Sequence, residues 1–142
     1  MMTELVLPND ANLHGNVLGG KVMHLLDLAG AIAANRHCRR PVVTVSVDSV
    51  RFLHPVKVGE VMLFDAVVTR AFTTSMETQV EVHSENLRTG ERTRTCSAFL
   101  TFVAIQDGKP VPINPLIAKT DEEKSRYEAA LKRREQRLAD CE

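Results

Sequence analysis

Apolar positions along this chain change their period once, near Pro41, and that change divides the fold. Before it, Val22, Leu25, Leu26, Ala29, Ile32 and Ala33 recur at helical spacing and form one face. The spacing predicts one helix from Lys21 to His37. Arg36, His37, Arg39 and Arg40 put positive charge near its C-terminal end, where the helix dipole favours it, and Pro41 closes the unit. Beyond Pro41 the pattern alternates, with Val43, Val45 and Val47 expected on one strand face. Strands are predicted over 42–52, 61–72, 75–86 and 91–106. A turn over 54–60, a glycine-bearing hairpin loop over 86–91 and a turn over 107–110 separate them. Thr3 to Pro8 reads as a short first strand, and the Asn- and Gly-rich run from Asn9 to Asn16 as a loop.

The predicted order is strand, long helix, four strands, helix. Short loops between consecutive strands imply antiparallel pairing, and one helix against such a sheet is an α+β layer arrangement. Gly30 interrupts the helix at a propensity cost of about 1 kcal/mol relative to Ala. With Ala29, Ala31, Ala33 and Ala34 around it, it marks a place where the sheet, and on the other side a partner subunit, packs close. Residues 1–118 are read as the globular domain and 119–142 as a charged C-terminal helix, mostly solvated. Thr120 and Glu123 form a capping-box pattern at its start, and acids precede bases along it.

Composition narrows the function. With 142 residues, 44% of them hydrophobic, the chain makes one domain with a real core. Eighteen basic residues balance eighteen acidic ones, so no net field favours a nucleic-acid backbone, and 4% aromatics leave few base-stacking platforms. Cys38, Cys96 and Cys141 are scattered, odd in number and without zinc spacing, and they are read as ordinary thiols in a reducing compartment. The start lacks the pattern of a secretory leader, and the apolar stretch from Leu25 to Ala34 is too short to cross a bilayer. A cytoplasmic protein with no membrane partner is expected.

The chemistry concentrates around the helix. Asp27 lies in LLDLAGAIAA, the most apolar helical stretch. Buried there it is a candidate general base or nucleophile; turned to water with His24, Ala31 and Asn35 it is merely the polar face. Gly19 and Gly20 stand eight and seven residues before it. A helix start supplies free N–H donors, which a thioester oxyanion needs; a tight turn into the helix is the plainer explanation of the glycines. Asn16 has an amide able to hold a carbonyl or a water, or to cap the turn. There is no GxSxG elbow and no HExxH, and the histidines lack metal-ligand spacing, so neither metal nor cofactor is expected.

The run Asn16-Val17-Leu18-Gly19-Gly20-Lys21-Val22-Met23-His24-Leu25-Leu26-Asp27 resembles the hotdog-fold acyl-CoA thioesterases of the cytosolic acyl-CoA hydrolase type. The preceding PNDANLHGN, and later VTVSVDSVRFLHPVKVGE and SMETQVEVHSENLRTGE, extend the likeness from about Leu7 to Ile105. The resemblance implies a sheet wrapped around a long helix. It also implies a homodimer with a continuous sheet, assembled further into a hexamer as a trimer of dimers, with sites at the subunit interface. It makes Asp27 the catalytic carboxylate, Asn16 a catalytic polar residue from the partner subunit, and the Gly19 N–H the group that polarises the thioester carbonyl. For coenzyme A itself, Gly20, Lys57, Thr74, Ser75, Arg88, Arg92 and Arg94 are the candidate contacts, the cations for its phosphates. Asp48 is expected to be structural, at the subunit interface.

Fatty acyl-CoA hydrolysis to fatty acid and CoA is therefore the expected function. A non-catalytic acyl-CoA sensing module is the alternative, although a pure binder has no need of Asn16, Gly19 and Asp27 together. A dehydratase requires an acid–base histidine with a carboxylate partner, and His54-Pro55 stands without the rest of such a motif.

Overall fold

The computed structural model describes residues 1–140; Glu142 and the thiol of Cys141 lie outside the described residues. Strand β1 (Met2–Leu5) precedes a 3-10 turn at Pro8–Asp10 and helix α1 (Gly19–Cys38). Then follow β2 (Val42–Phe52), β3 (Val61–Ala71), β4 (Ser75–Glu85), β5 (Arg92–Gln106), the two-residue β6 (Lys109–Pro110) and helix α2 (Asp121–Asp140). All pairings are antiparallel, in the order β1-β3-β4-β5-β2, with β6 folded back on β5. The α+β arrangement read from the sequence is the one observed. Details differ: α1 begins at Gly19, two residues before the expected start, β1 ends before Pro8, which cannot donate to a ladder, and the turn over 107–110 includes β6.

Helix α1 lies on one face of the sheet. Leu25, Leu26, Ala29 and Ala34 are buried against Val80, Val82, Ala98, Leu100 and Phe102. A Cβ built on Gly30 would stand 3.0 Å from both the Phe102 ring and Thr78 Oγ1, so the glycine is the condition for helix and sheet to approach this closely. The helix ends where Arg39 takes left-handed geometry (φ 57) and donates its N–H to Asn35 O at 2.7 Å.

The expected alternation of Val43, Val45 and Val47 fails at a register shift between Thr44 and Ser46. The extra residue turns the strand, so Thr44 pairs opposite Phe102 and Val47 opposite Leu100, both on the helix side, while Val43 opposite Val103 faces away. Strand β2 is also the edge of the sheet, and it leaves Val43 47%, Val45 55% and Phe52 56% exposed. An apolar, unpaired edge of this length is a template for another strand.

Helix α2 crosses the opposite face of the sheet. Its solvent side is as polar as expected, but its inner side is held by arginines. Glu77, fully buried on β4, receives Arg133 through Nε at 2.9 Å and Nη2 at 2.7 Å, Arg137 Nη2, and the Thr69 hydroxyl at 2.6 Å. Arg137 Nε also reaches Asp48 on β2 at 2.8 Å, which makes that carboxylate structural as expected. Arg133 stacks on Phe99 and Arg70 on Tyr127, each at 3.8 Å, and Arg134 on Phe72 at 4.2 Å. At the helix start Thr120 Oγ1 accepts from Glu123 N at 3.0 Å, one half of the predicted capping box, while the Glu123 carboxylate accepts from Lys119 N at 2.9 Å, one residue before the cap.

Candidate active site

The loop before α1 is wound around Asn12. Its side-chain oxygen accepts the N–H groups of His14 at 2.9 Å and Asn16 at 3.2 Å, and its backbone N–H donates to Asn16 O at 2.8 Å. Gly15 closes the turn at φ 77, a conformation that glycine adopts without strain. An isolated bridge from Ala11 to Val17 closes the loop on itself, and one from Asn16 to Lys57 ties it to the chain after β2.

This winding places Asn12, Asn16 and Gly19 on one cavity of about 320 Å³, whose other walls include Phe52, His54, Thr95 and Cys96. Gly19 opens α1, with Leu18 as an N-cap that supplies no side-chain cap; Lys21 N–H donates to Leu18 O at 3.0 Å, and the N–H groups of Gly19 and Gly20 remain available. Neither Gly19 nor Gly20 has a positive φ, and a Cβ on either would meet nothing within 4 Å. Neither a tight turn nor close packing within one chain is thus what requires glycine at these two positions. Burial pushes the Cys96 thiol up to about 11, which leaves it protonated and non-nucleophilic beside the cavity.

Asp27 is half-buried on α1, two turns beyond Gly19 and outside that cavity. Its Oδ1 accepts the hydroxyl of Thr44 on β2 at 2.6 Å, and this contact fixes where the carboxylate points. Neither Thr44 nor Asn12 stands out in the sequence. Thr44 gains its part from a contact made by the fold, and Asn12 is one of several asparagines in a loop.

The candidate coenzyme A contacts separate into groups. Lys57 and Arg88 line one cavity of about 540 Å³, and Lys57 is bridged through its backbone to Asn16 on the first cavity. Arg92 pairs with Glu85 at 3.1 Å, and Arg94 with Glu81 at 3.5 Å. Thr74 and Ser75 sit at the opposite end of β4, about 33 Å away along an extended strand. There Ser75 Oγ accepts from Arg134 at 3.3 Å. Among the described residues no cluster of His, Cys, Asp and Glu is disposed to hold a metal ion.

The thioesterase superfamily model matches residues 14–91. The uncharacterized acyl-CoA thioester hydrolase YkhA of Bacillus subtilis (strain 168) is 43% identical over 136 residues, 95% of this chain and 79% of that protein. The crystal structure of an apo-hexameric acyl-CoA thioesterase superimposes with a TM-score of 0.94 at 45% identity, over 99% of this chain and 90% of that one. An acyl-CoA hydrolase from Staphylococcus aureus, solved with butyryl coenzyme A, coenzyme A and coenzyme A disulfide, superimposes at 0.90 with 36% identity, over 98% of this chain and 85% of that one. It has also been solved with an asparagine, an aspartate or a threonine changed to alanine.

Proposed function

The chain belongs to the thioesterase superfamily, and from that premise we propose that it hydrolyses fatty acyl-CoA to fatty acid and CoA in a site shared between two subunits, with Asp27 as general base or nucleophile. The observation that carries the reading is the separation of Asp27 from Gly19. Eight residues of helix are about 12 Å of rise, too far for one chain's N–H and carboxylate to grip a single thioester group. Two copies resolve this. Antiparallel pairing of the exposed β2 edges about a two-fold axis brings the Thr44 end of one strand toward the Phe52 end of the other. Asp27 of one subunit then faces the cavity that holds Asn16 and Gly19 of its partner. The hexameric acyl-CoA thioesterase to which the chain is similar supports an oligomer, with a dimer as the minimal unit.

In the complete site the thioester carbonyl oxygen lies against the Gly19 N–H, which stabilises the oxyanion as it forms. Asp27 takes a proton from water as the water attacks the carbonyl carbon, or attacks that carbon itself to give an anhydride that water then opens. In either route the C–S bond breaks with its electron pair on sulfur, and CoA leaves. Asn16 orients the water or the carbonyl. Asn12 and Thr44 join the site because Asn12, Asp27 and Thr44 have the sequence spacing of the three residues changed to alanine in the Staphylococcus aureus enzyme. The pantetheine arm runs past the Asn16–Lys57 bridge, and Lys57 and Arg88 receive phosphates. Arg92, Arg94, Thr74, Ser75 and Gly20 are further contacts, those at the far end of β4 belonging to another subunit's ligand. We place the reaction in the cytosol; no helix among the described residues is long and apolar enough to cross a membrane.

The test is CoA release, followed with a thiol reagent, across acyl-CoAs from acetyl to palmitoyl. Asp27→Asn lowers turnover by about a hundredfold or more, the scale of a general base. Near-normal turnover in a folded variant would remove Asp27 from the chemistry, and binding of acyl-CoA without release would make the chain a sensor.

A further inference from the structure

We propose that the chain carries a second ligand site, for a free fatty acid, on the side of α1 that faces away from Asp27. Arg36 is nine residues beyond Asp27, and at about 3.6 residues per turn it points to the opposite side of the helix. There α1 and β3 bound a cavity of about 470 Å³, walled by Ala29, Ile32, Ala33, Phe64 and Val67. That volume is in the range of sites for small ligands, about 300–1,000 Å³. Arg36 is the only side chain in its wall, among the described residues, that is not apolar. It makes no ion pair or side-chain hydrogen bond among them. The walls of this cavity share no residue with the cavity that holds Asn16 and Gly19, and Asp27 is not among them, so it is a separate space.

The wall selects the chemistry of the occupant. An aliphatic tail fits an apolar lining, and a ligand with further polar groups would leave them unpaired. A single carboxylate matches the one guanidinium, which binds such a group bidentately. A neutral or cationic head gains nothing from Arg36. A long-chain carboxylate is the ligand class that satisfies both features. Acyl-CoA hydrolysis releases a molecule of this class, but the site stands on its own walls and does not rest on that activity.

The experiment is calorimetric titration of the whole protein with octanoate, decanoate and dodecanoate, with dodecanol and CoA as comparisons. Dodecanoate is expected to bind once per chain, with affinity rising about fourfold for each CH₂ buried until the cavity is full. Arg36→Gln lowers dodecanoate affinity about tenfold or more, the scale of a charge-assisted hydrogen bond, and leaves dodecanol unchanged. Ala33→Phe, which fills the cavity, abolishes both. Because Ala33→Phe is able to disturb the fold, the exposed Arg36→Gln carries the test alone if the other fails to melt cooperatively. Three outcomes overturn the proposal: no binding of dodecanoate, binding indifferent to both variants, or displacement of dodecanoate by CoA, which would put it in the catalytic cleft. A change in oligomer mass in either variant would also overturn it, by making this face a subunit contact.

Discussion

The hydroxyl of Thr44 donates to Asp27 Oδ1 at 2.6 Å and so links the edge strand of the sheet to the one carboxylate in the apolar stretch of α1. The contact spans two elements that only the fold brings together. It commits one carboxylate oxygen to the protein and leaves the other for water or substrate. Thr44 lies on the edge where a second subunit is proposed to pair, so in that dimer the same contact would tie the interface to the orientation of the proposed catalytic carboxylate.

Replacing Thr44 by Val therefore lowers kcat about tenfold, the worth of one hydrogen bond to a charged acceptor. KM for acyl-CoA stays near its original value, because Thr44 acts through Asp27 and not on the substrate. Thr44→Ser restores most of the rate. Steady-state kinetics of the three proteins checks this; equal loss in the Ser variant would assign Thr44 to packing.

Glu77 offers a different kind of test. Its carboxylate is fully buried, yet its partners Arg133 and Arg137 keep side-chain exposures of 24% and 17%. Glu77→Ala leaves Arg133 facing the sheet without an anion and Arg137 with Asp48 alone. Breaking a buried pair costs about 3–5 kcal/mol, and the partial exposure of the arginines puts this case near the low end. Urea denaturation is expected to show a loss of about 3 kcal/mol. Trypsin should cut within α2 early, because the helix has lost its anchor. A stable variant with a protected α2 would show that the stacked arginines hold the helix without Glu77.

These two contacts mark where the sequence was readable and where it was not. Asn16, Gly19 and Asp27 fall in one continuous run, so the loop and helix that carry these candidate residues were legible in their order. Thr44 lies seventeen residues from Asp27, and a lone threonine in a strand has no local signature. The register shift at Val45 hid it further, since strict alternation puts Thr44 on the face opposite Val47. Helix α2 was legible in extent from its capping box but not in its docking. Its inner side is built of arginines over aromatic rings, which a search for apolar stripes passes over. The basic residues proposed for coenzyme A looked alike in sequence, and only the pairing of β4 with β5 shows that Arg92 and Arg94 already have acidic partners.

Cys96 gives the pH dependence. Burial raises its thiol from 9.0 to about 11 by penalising the charged form. The folded protein therefore holds this proton more tightly than the unfolded chain. The stability it contributes is complete below about pH 9 and is lost as pH rises toward 11. At pH 8 roughly one thiol in a thousand is ionised, so iodoacetamide should modify Cys96 very slowly in the native protein and readily in urea. A variant with Cys38 and Cys141 changed to Ser isolates the signal. Fast native modification at pH 8 would mean that the cavity admits water to this thiol.

The shared site makes the most demanding prediction. If Asp27 of one subunit serves the cavity of the other, then Asp27→Asn and Asn16→Ala damage opposite halves of the same site. Each variant alone lacks one essential group in both sites. When the two are unfolded together and refolded as a mixture, heterodimers form in which one site carries both changes and the other carries neither. Random pairing in a two-fold dimer makes half of the molecules heterodimers with one intact site each, so about a quarter of wild-type activity returns. The same experiment with Asn12→Ala in place of Asn16→Ala shows which asparagine lies across the interface from Asp27. Recovery with one and not the other would assign the role, since both line the same cavity. If both mixtures stay as inactive as their parents while heterodimers are present by mass, Asp27 and the asparagines act within one chain, and the 12 Å argument fails.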